Sequence, residues 1–181
     1  MLALIGFGNV SNGQTPNWVW ANSAGSTGDD FGTTTTTDAS GNVYLAGYYK
    51  SAAITFGTTT LTNANAGSED IFLVKYDASC NVLWATGAGS TGYDVANSIS
   101  TDASGNVIVA GGYNSPSITF GTTTLTAAGS TDMFIVKYDT SGNVLWAKGA
   151  GSSSIDNSNS TTIDASGNVY VAGAYDSPSI I

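Results

Sequence analysis

Histidine and arginine are both absent from the 181 residues, and cysteine occurs once, as Cys80. Without histidine the chain lacks the commonest general base and the commonest metal ligand, so nucleophilic triads built on imidazole are excluded. A lone thiol excludes an internal disulfide and a cysteine-based zinc cluster. Basic residues are nearly as scarce: 4 Lys against 13 Asp plus Glu give a net charge of -9. Such a chain has no electrostatic footprint for nucleic acid or for an anionic membrane surface. Charged residues amount to 9% and hydrophobic ones to 41%, which argues against charge-driven disorder. No apolar run approaches the roughly 20 residues of a spanning helix, so membrane insertion is not expected. What fills the chain instead is Gly, Ser, Thr, Asn and Ala, the vocabulary of short strands and many turns.

The chain repeats. Trp20-Ala21, Trp84-Ala85 and Trp146-Ala147 recur at offsets of 64 and 62, and Asp38-Ala39-Ser40-Gly41-Asn42-Val43 returns with the same offsets at 102–107 and 164–169. Residues 84–118 and 146–180 share 23 identities in 35 positions. The units are 20–83, 84–145 and a partial 146–181. Each reads as two hairpins. In the second unit, 96–101 and 107–110 flank the turn Asp102-Ala103-Ser104-Gly105-Asn106, and 133–138 and 144–147 flank Asp139-Thr140-Ser141-Gly142-Asn143. Four antiparallel strands per unit follow, with no window of helical period. Ile71 to Val74 and Met133 to Val136 are continuously apolar, which predicts burial on both faces where sheets stack. The fold class is therefore all-β: a β-propeller-like array of four-stranded antiparallel blades. With strands lettered A to D from the hub outward, the chain reads D, ABCD, ABCD, AB, an incomplete ring. Open blade ends point to self-association or to further blades of a longer chain.

The recurring Asp-Ala-Ser-Gly-Asn-Val-Tyr-Val-Ala-Gly (164–173), with Phe-Ile-Val-Lys-Tyr-Asp-Thr-Ser-Gly-Asn-Val-Leu-Trp-Ala (134–147), resembles the SBBP-type β-propeller repeat over about residues 17–181. That resemblance implies a propeller and an extracytoplasmic setting in a secreted or cell-surface bacterial protein. The family has no shared catalytic residues, so none is implied. The opening Met1 to Phe7 fits two descriptions, the apolar core of a secretory signal without its positive region or an N-terminal strand. On the first, residues 1–14 are a signal remnant and the repeats occupy 15–181.

Three features bear on function. The Asp-x-Ser-Gly-Asn turns offer one carboxylate each, too few for a calcium loop, and read as Asp-capped turns with Gly at positive φ. Cys80 replaces that Gly in 77–81, predicting a strained turn or one of another type. Trp20, Trp84 and Trp146 fit as fillers between blades, with sugar stacking as the functional reading. The D-to-A links 25–30, 89–94 and 151–156 share a face with the long B-to-C connectors, and the only length change between units falls there, between Thr62 and Gly67. On that face Asp30, Asp94 and Asp156 are the candidate ligand-binding residues, either as carboxylates around the axis or as strand-end caps for local amides. The repeated Ile-Thr-Phe-Gly-Thr-Thr-Thr-Leu-Thr (54–62, 118–126) reads as a small hairpin with Thr outward.

The expected function is a non-catalytic scaffold or binding module, taking a protein or a glycan and needing no metal or cofactor. A self-assembling array without a ligand is the alternative. A propeller-type glycoside hydrolase using Asp30, Asp94, Asp156 or Glu69-Asp70 ranks behind both, since nothing separates an acid from a base.

Overall fold

The computed structural model describes residues 2–7 and 18–179. Among them there is no helix, and every long element is a strand. β1 (Leu2–Phe7) pairs antiparallel with β2 (Trp18–Ala24). The first complete blade is formed by β3 (Asp30–Thr37), β4 (Val43–Tyr49), β7 (Asp70–Tyr76) and β8 (Val82–Ala88), in that spatial order. Between its second and third strands lies a two-stranded hairpin, β5 (Ala53–Phe56) and β6 (Thr59–Thr62). The second blade repeats this with β9 (Asp94–Thr101), β10 (Val107–Tyr113), β13 (Asp132–Tyr138) and β14 (Val144–Ala150). Its hairpin is β11 (Ser117–Phe120) and β12 (Thr123–Thr126). β15 (Asp156–Ile163) and β16 (Val169–Tyr175) close the described chain.

The strand order is thus CD, ABCD, ABCD, AB. The sequence-based order lacked the first strand, because Leu2 to Phe7 has none of the Lys-Tyr-Asp signature that marks strand C elsewhere. Their partner is β2, through the same antiparallel pairing that joins β7 to β8. The remainder of the candidate signal stretch, residues 8–14, lies outside the described residues.

The cores lie between blades, and this accounts for the apolar runs. Side chains alternate across a strand. On β7, Ile71 and Leu73 enter one core with residues of the second blade, while Phe72 and Val74 enter another with Leu4 and Trp20. β7 and β10 are buried along their whole length. The inner strands cohere differently. The Thr33 hydroxyl donates to the carbonyls of Ala46 and Ala96, at 3.2 and 2.5 Å, and the Asn97 amide donates to the Ser158 carbonyl at 3.0 Å. Both residues sit at irregularities where the A strand carries one residue more than its partner. Such a bulge re-aims a side chain, here across the gap to the next blade.

Every Asp-x-Ser-Gly-Asn turn has the same construction. One oxygen of Asp38 accepts the amides of Ser40 and Asn42, both at 3.0 Å, and the other accepts the Asn42 side chain at 2.8 Å. Asp77, Asp102, Asp139 and Asp164 do likewise. Cys80 lies in the same turn with φ of 66°, the one positive φ at a residue other than Gly among the described residues. The Asp77 amide network is complete, so the turn keeps its type and carries the strain. Relieving a left-handed non-Gly residue is worth about 1–2 kcal/mol. Part of that is offset by the packing that Cys80 contributes to the adjacent core. Cys80→Gly is therefore expected to raise stability by about 0.5–1 kcal/mol in urea unfolding.

Candidate functional site

The D-to-A links and B-to-C connectors converge at one end of the blades, and buried carboxylates tie them together. The Asp94 side chain accepts the Ser115 hydroxyl at 2.6 Å and the Ser90 amide at 2.9 Å on one oxygen, and the Ser115 amide at 3.3 Å on the other. Ser115 in turn accepts the Gly92 amide at 2.9 Å. Asp30 makes the same set with Ser51 and Ser26, and Asp156 with Ser177 and Ser152. All three carboxylates are buried. Burial pushes Asp94 above the usual carboxylate range. For Asp156 burial acts the same way, but the donors from Ser177 and Ser152 outweigh it and hold the group low. The candidate binding residues therefore sit at equivalent places, each turned into its own blade and occupied by local donors. They shape the loop face from beneath.

What the loop face presents outward is aromatic. Phe31 is 48% exposed and Tyr93 41% exposed. Phe31 packs at a tilt on Tyr48 with centroids 5.2 Å apart, and burial, with the charge of Glu69 adding to it, raises the Tyr93 hydroxyl. The Lys50–Glu69 ion pair, 3.0 Å long, borders the cluster.

A second set of carboxylates had no assigned place in the sequence reading beyond the pair Glu69-Asp70. Asp70 and Asp132 open strand C of the two complete blades, 62 residues apart, and both are buried. One oxygen of Asp70 accepts the Ala64 amide at 2.7 Å, and one of Asp132 accepts the Ala128 amide. The other oxygen in each has no donor. Each residue lines a cavity, of about 350 Å³ at Asp70 and about 250 Å³ at Asp132. The recurrence of Asp at the same offset as Trp84 and Trp146 was the available signal.

Burial, with the charge of Asp94 adding to it, pushes the Asp70 carboxyl up to about 6, and the Ala64 amide pulls the other way. An unfolded Asp titrates near 3.9, so the fold favours the protonated form. That contribution is full below about pH 4 and is lost as pH rises through 6. The charged groups facing Asp70 are Asp94 and, when ionised, Tyr49, whose hydroxyl is itself raised by burial and by Asp70 and Asp30. Asp70→Asn is expected to gain roughly 2–3 kcal/mol relative to the unsubstituted protein between pH 4 and pH 7.5. Urea unfolding of both proteins at the two pH values measures it.

The Trp residues occupy strand D. Trp84 lies edge-on to Tyr44 at 6.0 Å, and its indole donates to the Thr140 carbonyl of the next blade at 3.0 Å, which is the packing role. At the end of the blades opposite the loop face, a cavity of about 260 Å³ includes Asp38, whose carboxylate is already paired with Lys75 at 3.5 Å.

No protein-family model matches the chain. An uncharacterized WD repeat-containing protein, L264, of Acanthamoeba polyphaga mimivirus is 30% identical over 184 residues, a match that takes in 87% of this chain. The chain spans 13% of that relative's length. Four-stranded blades in series and likeness to a WD repeat-containing protein agree on one architecture, a β-propeller-like repeat array.

Proposed function

We propose that the chain is a non-catalytic binding and scaffold module of the SBBP type, belonging to a secreted or cell-surface protein, that engages a protein partner through the D–A and B–C loop face. The observation that carries this reading is the pair of exposed aromatics, Phe31 and Tyr93, with half-buried Tyr48 against Phe31, on a face braced by buried Asp–Ser pairs. Aromatic anchors dominate protein interfaces, and a rigid support lowers the ordering cost of binding. The likeness to a WD repeat-containing protein supports a scaffold. A glycosidase needs two carboxyls flanking a bond in an open groove. Asp30, Asp94 and Asp156 are instead covered and bonded to Ser51, Ser115 and Ser177.

The test is selection of a random displayed-peptide library on the immobilised protein, with the binding surface of each enriched peptide mapped by amide chemical shifts. Peptides that perturb residues 26–31, 48–51 and 89–93, and lose affinity tenfold or more with Tyr93→Ala, support the reading. Enrichment confined to the Asp-x-Ser-Gly-Asn turns, or none, overturns it. A glycan array run in parallel distinguishes a carbohydrate ligand on the same face.

A second reading, self-association, is favoured by β16. Tyr175 is 61% exposed where its counterpart Tyr113 is 1%, because β10 carries β13 at its outer edge and β16 has no such neighbour among the described residues. Light scattering after size exclusion tests it: a discrete dimer or trimer supports strand addition at that edge, and a monomer excludes it.

A further inference from the structure

The two cavities at Asp70 and Asp132 are copies of one design. Each is bounded by the outer strand of the inserted hairpin (Thr60–Thr62 or Thr124–Thr126), by the glycine-rich end of strand D, and by the last tyrosine of strand B, Tyr49 or Tyr113. Their volumes lie around the lower bound of small-molecule pockets, the scale of a single side chain. In both, a buried carboxylate spends one oxygen on a connector amide and leaves the other without a donor. Buried acceptors are ordinarily satisfied, and leaving one unpaired is unfavourable. An isolated lapse is unremarkable; the same lapse at the same place in both complete blades calls for a donor from outside.

The donor's chemistry follows from the walls. None of the ion pairs among the described residues reaches Asp70 or Asp132: Lys50 pairs with Glu69, Lys75 with Asp38 and Lys137 with Asp102. A desolvated carboxylate gains most from a charged donor. Because one oxygen already accepts a connector amide, a guanidinium fork would have to share that oxygen, and a single-point donor suits the free one better. A primary ammonium, a compact charge with three donors on an alkyl stem, matches one free oxygen and the side of Leu61 or Leu125. Small residues keep the space open. A Cβ on Gly149 would lie 3.5 Å from the Tyr113 hydroxyl and 3.7 Å from Leu125, filling the cavity without a clash.

We propose that each complete blade carries a pocket for a primary alkylammonium group, at Asp70 and at Asp132, which on the loop-face reading above receives a lysine side chain of the protein partner. The net charge of -9 draws such a ligand in. Protonation of Asp70 competes with the ammonium, so binding at its pocket weakens as pH falls, with the bound ammonium holding the carboxyl lower than in the free protein.

The experiment is a titration of the ¹⁵N-labelled protein at pH 7.5 with n-butylammonium chloride, against N-butylacetamide and against sodium chloride at equal ionic strength. Saturable shifts are expected at the amides of Ala64 and Gly89 and at those of Ala128 and Gly151, with neither control reproducing them. Asp70→Asn should weaken binding at the first pair at least tenfold and leave the second unchanged. Gly149→Ala should do the reverse, and it serves equally if the Asp70 variant folds poorly. Equal shifts with N-butylacetamide or sodium, or shifts that survive both substitutions, overturn the proposal. A capped Gly-Lys-Gly peptide binding at least as well as butylammonium assigns the source to protein lysine, whereas preference for a free diamine assigns it to a polyamine. If displayed peptides select the loop face but butylammonium shifts nothing, the pocket falls and the binding reading stands. If butylammonium binds while selection fails, the pocket stands and the binding reading falls.

Discussion

Gly111→Ala is expected to destabilise the protein by about 3 kcal/mol or more. Gly111 lies on β10 beside the bulge of β9, where the register shifts between Ala110 and Gly111. The bulge brings the Val95 carbonyl over the position where a Cβ would stand, and the Phe134 ring lies 2.8 Å from the same point. A backbone carbonyl cannot swing aside as a side chain does, so the sheet must deform. Gly47 meets the Phe31 carbonyl and Gly173 the Asn157 carbonyl in the same way. The control is Gly167→Ala. Gly167 has φ of 85° with nothing within 4 Å of its Cβ position, so only the left-handed backbone is penalised, at about 1 kcal/mol. Urea unfolding of both variants separates collision from conformation. A loss at Gly111 no greater than at Gly167 would mean that the bulge is soft.

The second large effect is expected at Asp94. Asp94→Ala removes the acceptor for the Ser115 hydroxyl, the Ser115 amide and the Ser90 amide in a fully buried setting. Stranding donors there costs about 3 kcal/mol in total. Ser115→Ala should lose less, about 1–2 kcal/mol, since the carboxylate keeps its two amides. Because Ser115 also receives the Gly92 amide, the two changes share partners, and the double variant should lose less than the sum. Urea unfolding of the four proteins closes the cycle. The loop amides of Ser90 to Tyr93 should exchange with solvent faster in both single variants. Additive losses with unchanged exchange would show that Asp94 and Ser115 do not act as one brace.

Most of the architecture was legible in the chain itself, for a physical reason. A repeat makes every local signal appear several times, so the turns at 38, 102 and 164 vouch for one another, and the apolar runs of β7 and β13 announce sheets covered on both faces. The hairpin of Ile54 and Phe56 was legible by alternation, and both side chains are buried with Thr55 outward. β1 was ambiguous because six apolar residues without a flanking turn motif carry no phase. The bulges at Thr33 and Asn97 left no compositional mark, since any small polar residue fits there. Asp30, Asp94 and Asp156 stood out by position, but their direction depends on Ser51, Ser115 and Ser177, each 21 residues further on. Residue type at one site does not reveal a partner on another loop. Asp132 was overlooked, and Asp70 was read only as half of the pair Glu69-Asp70, because an Asp before an apolar strand resembles a strand cap and only the folded chain shows which oxygen lacks a donor.

The contacts by which one blade recognises the next have a consequence for the history of such chains. Trp84 and Lys75 both donate to the carbonyl of Thr140, and the Tyr44 hydroxyl donates to the carbonyl of Gly105. All the acceptors are main-chain atoms of turns, present whatever side chains those turns carry. At these turns neighbours therefore agree on a path rather than on a sequence, while the cores between them match side chain to side chain. A lineage built this way can duplicate, delete or transpose a unit with these turn junctions unchanged, and a substitution such as Cys for Gly at position 80 leaves the hydrogen bonds of its turn intact. Copy number becomes the quantity that varies most freely, while the loop face diversifies unit by unit.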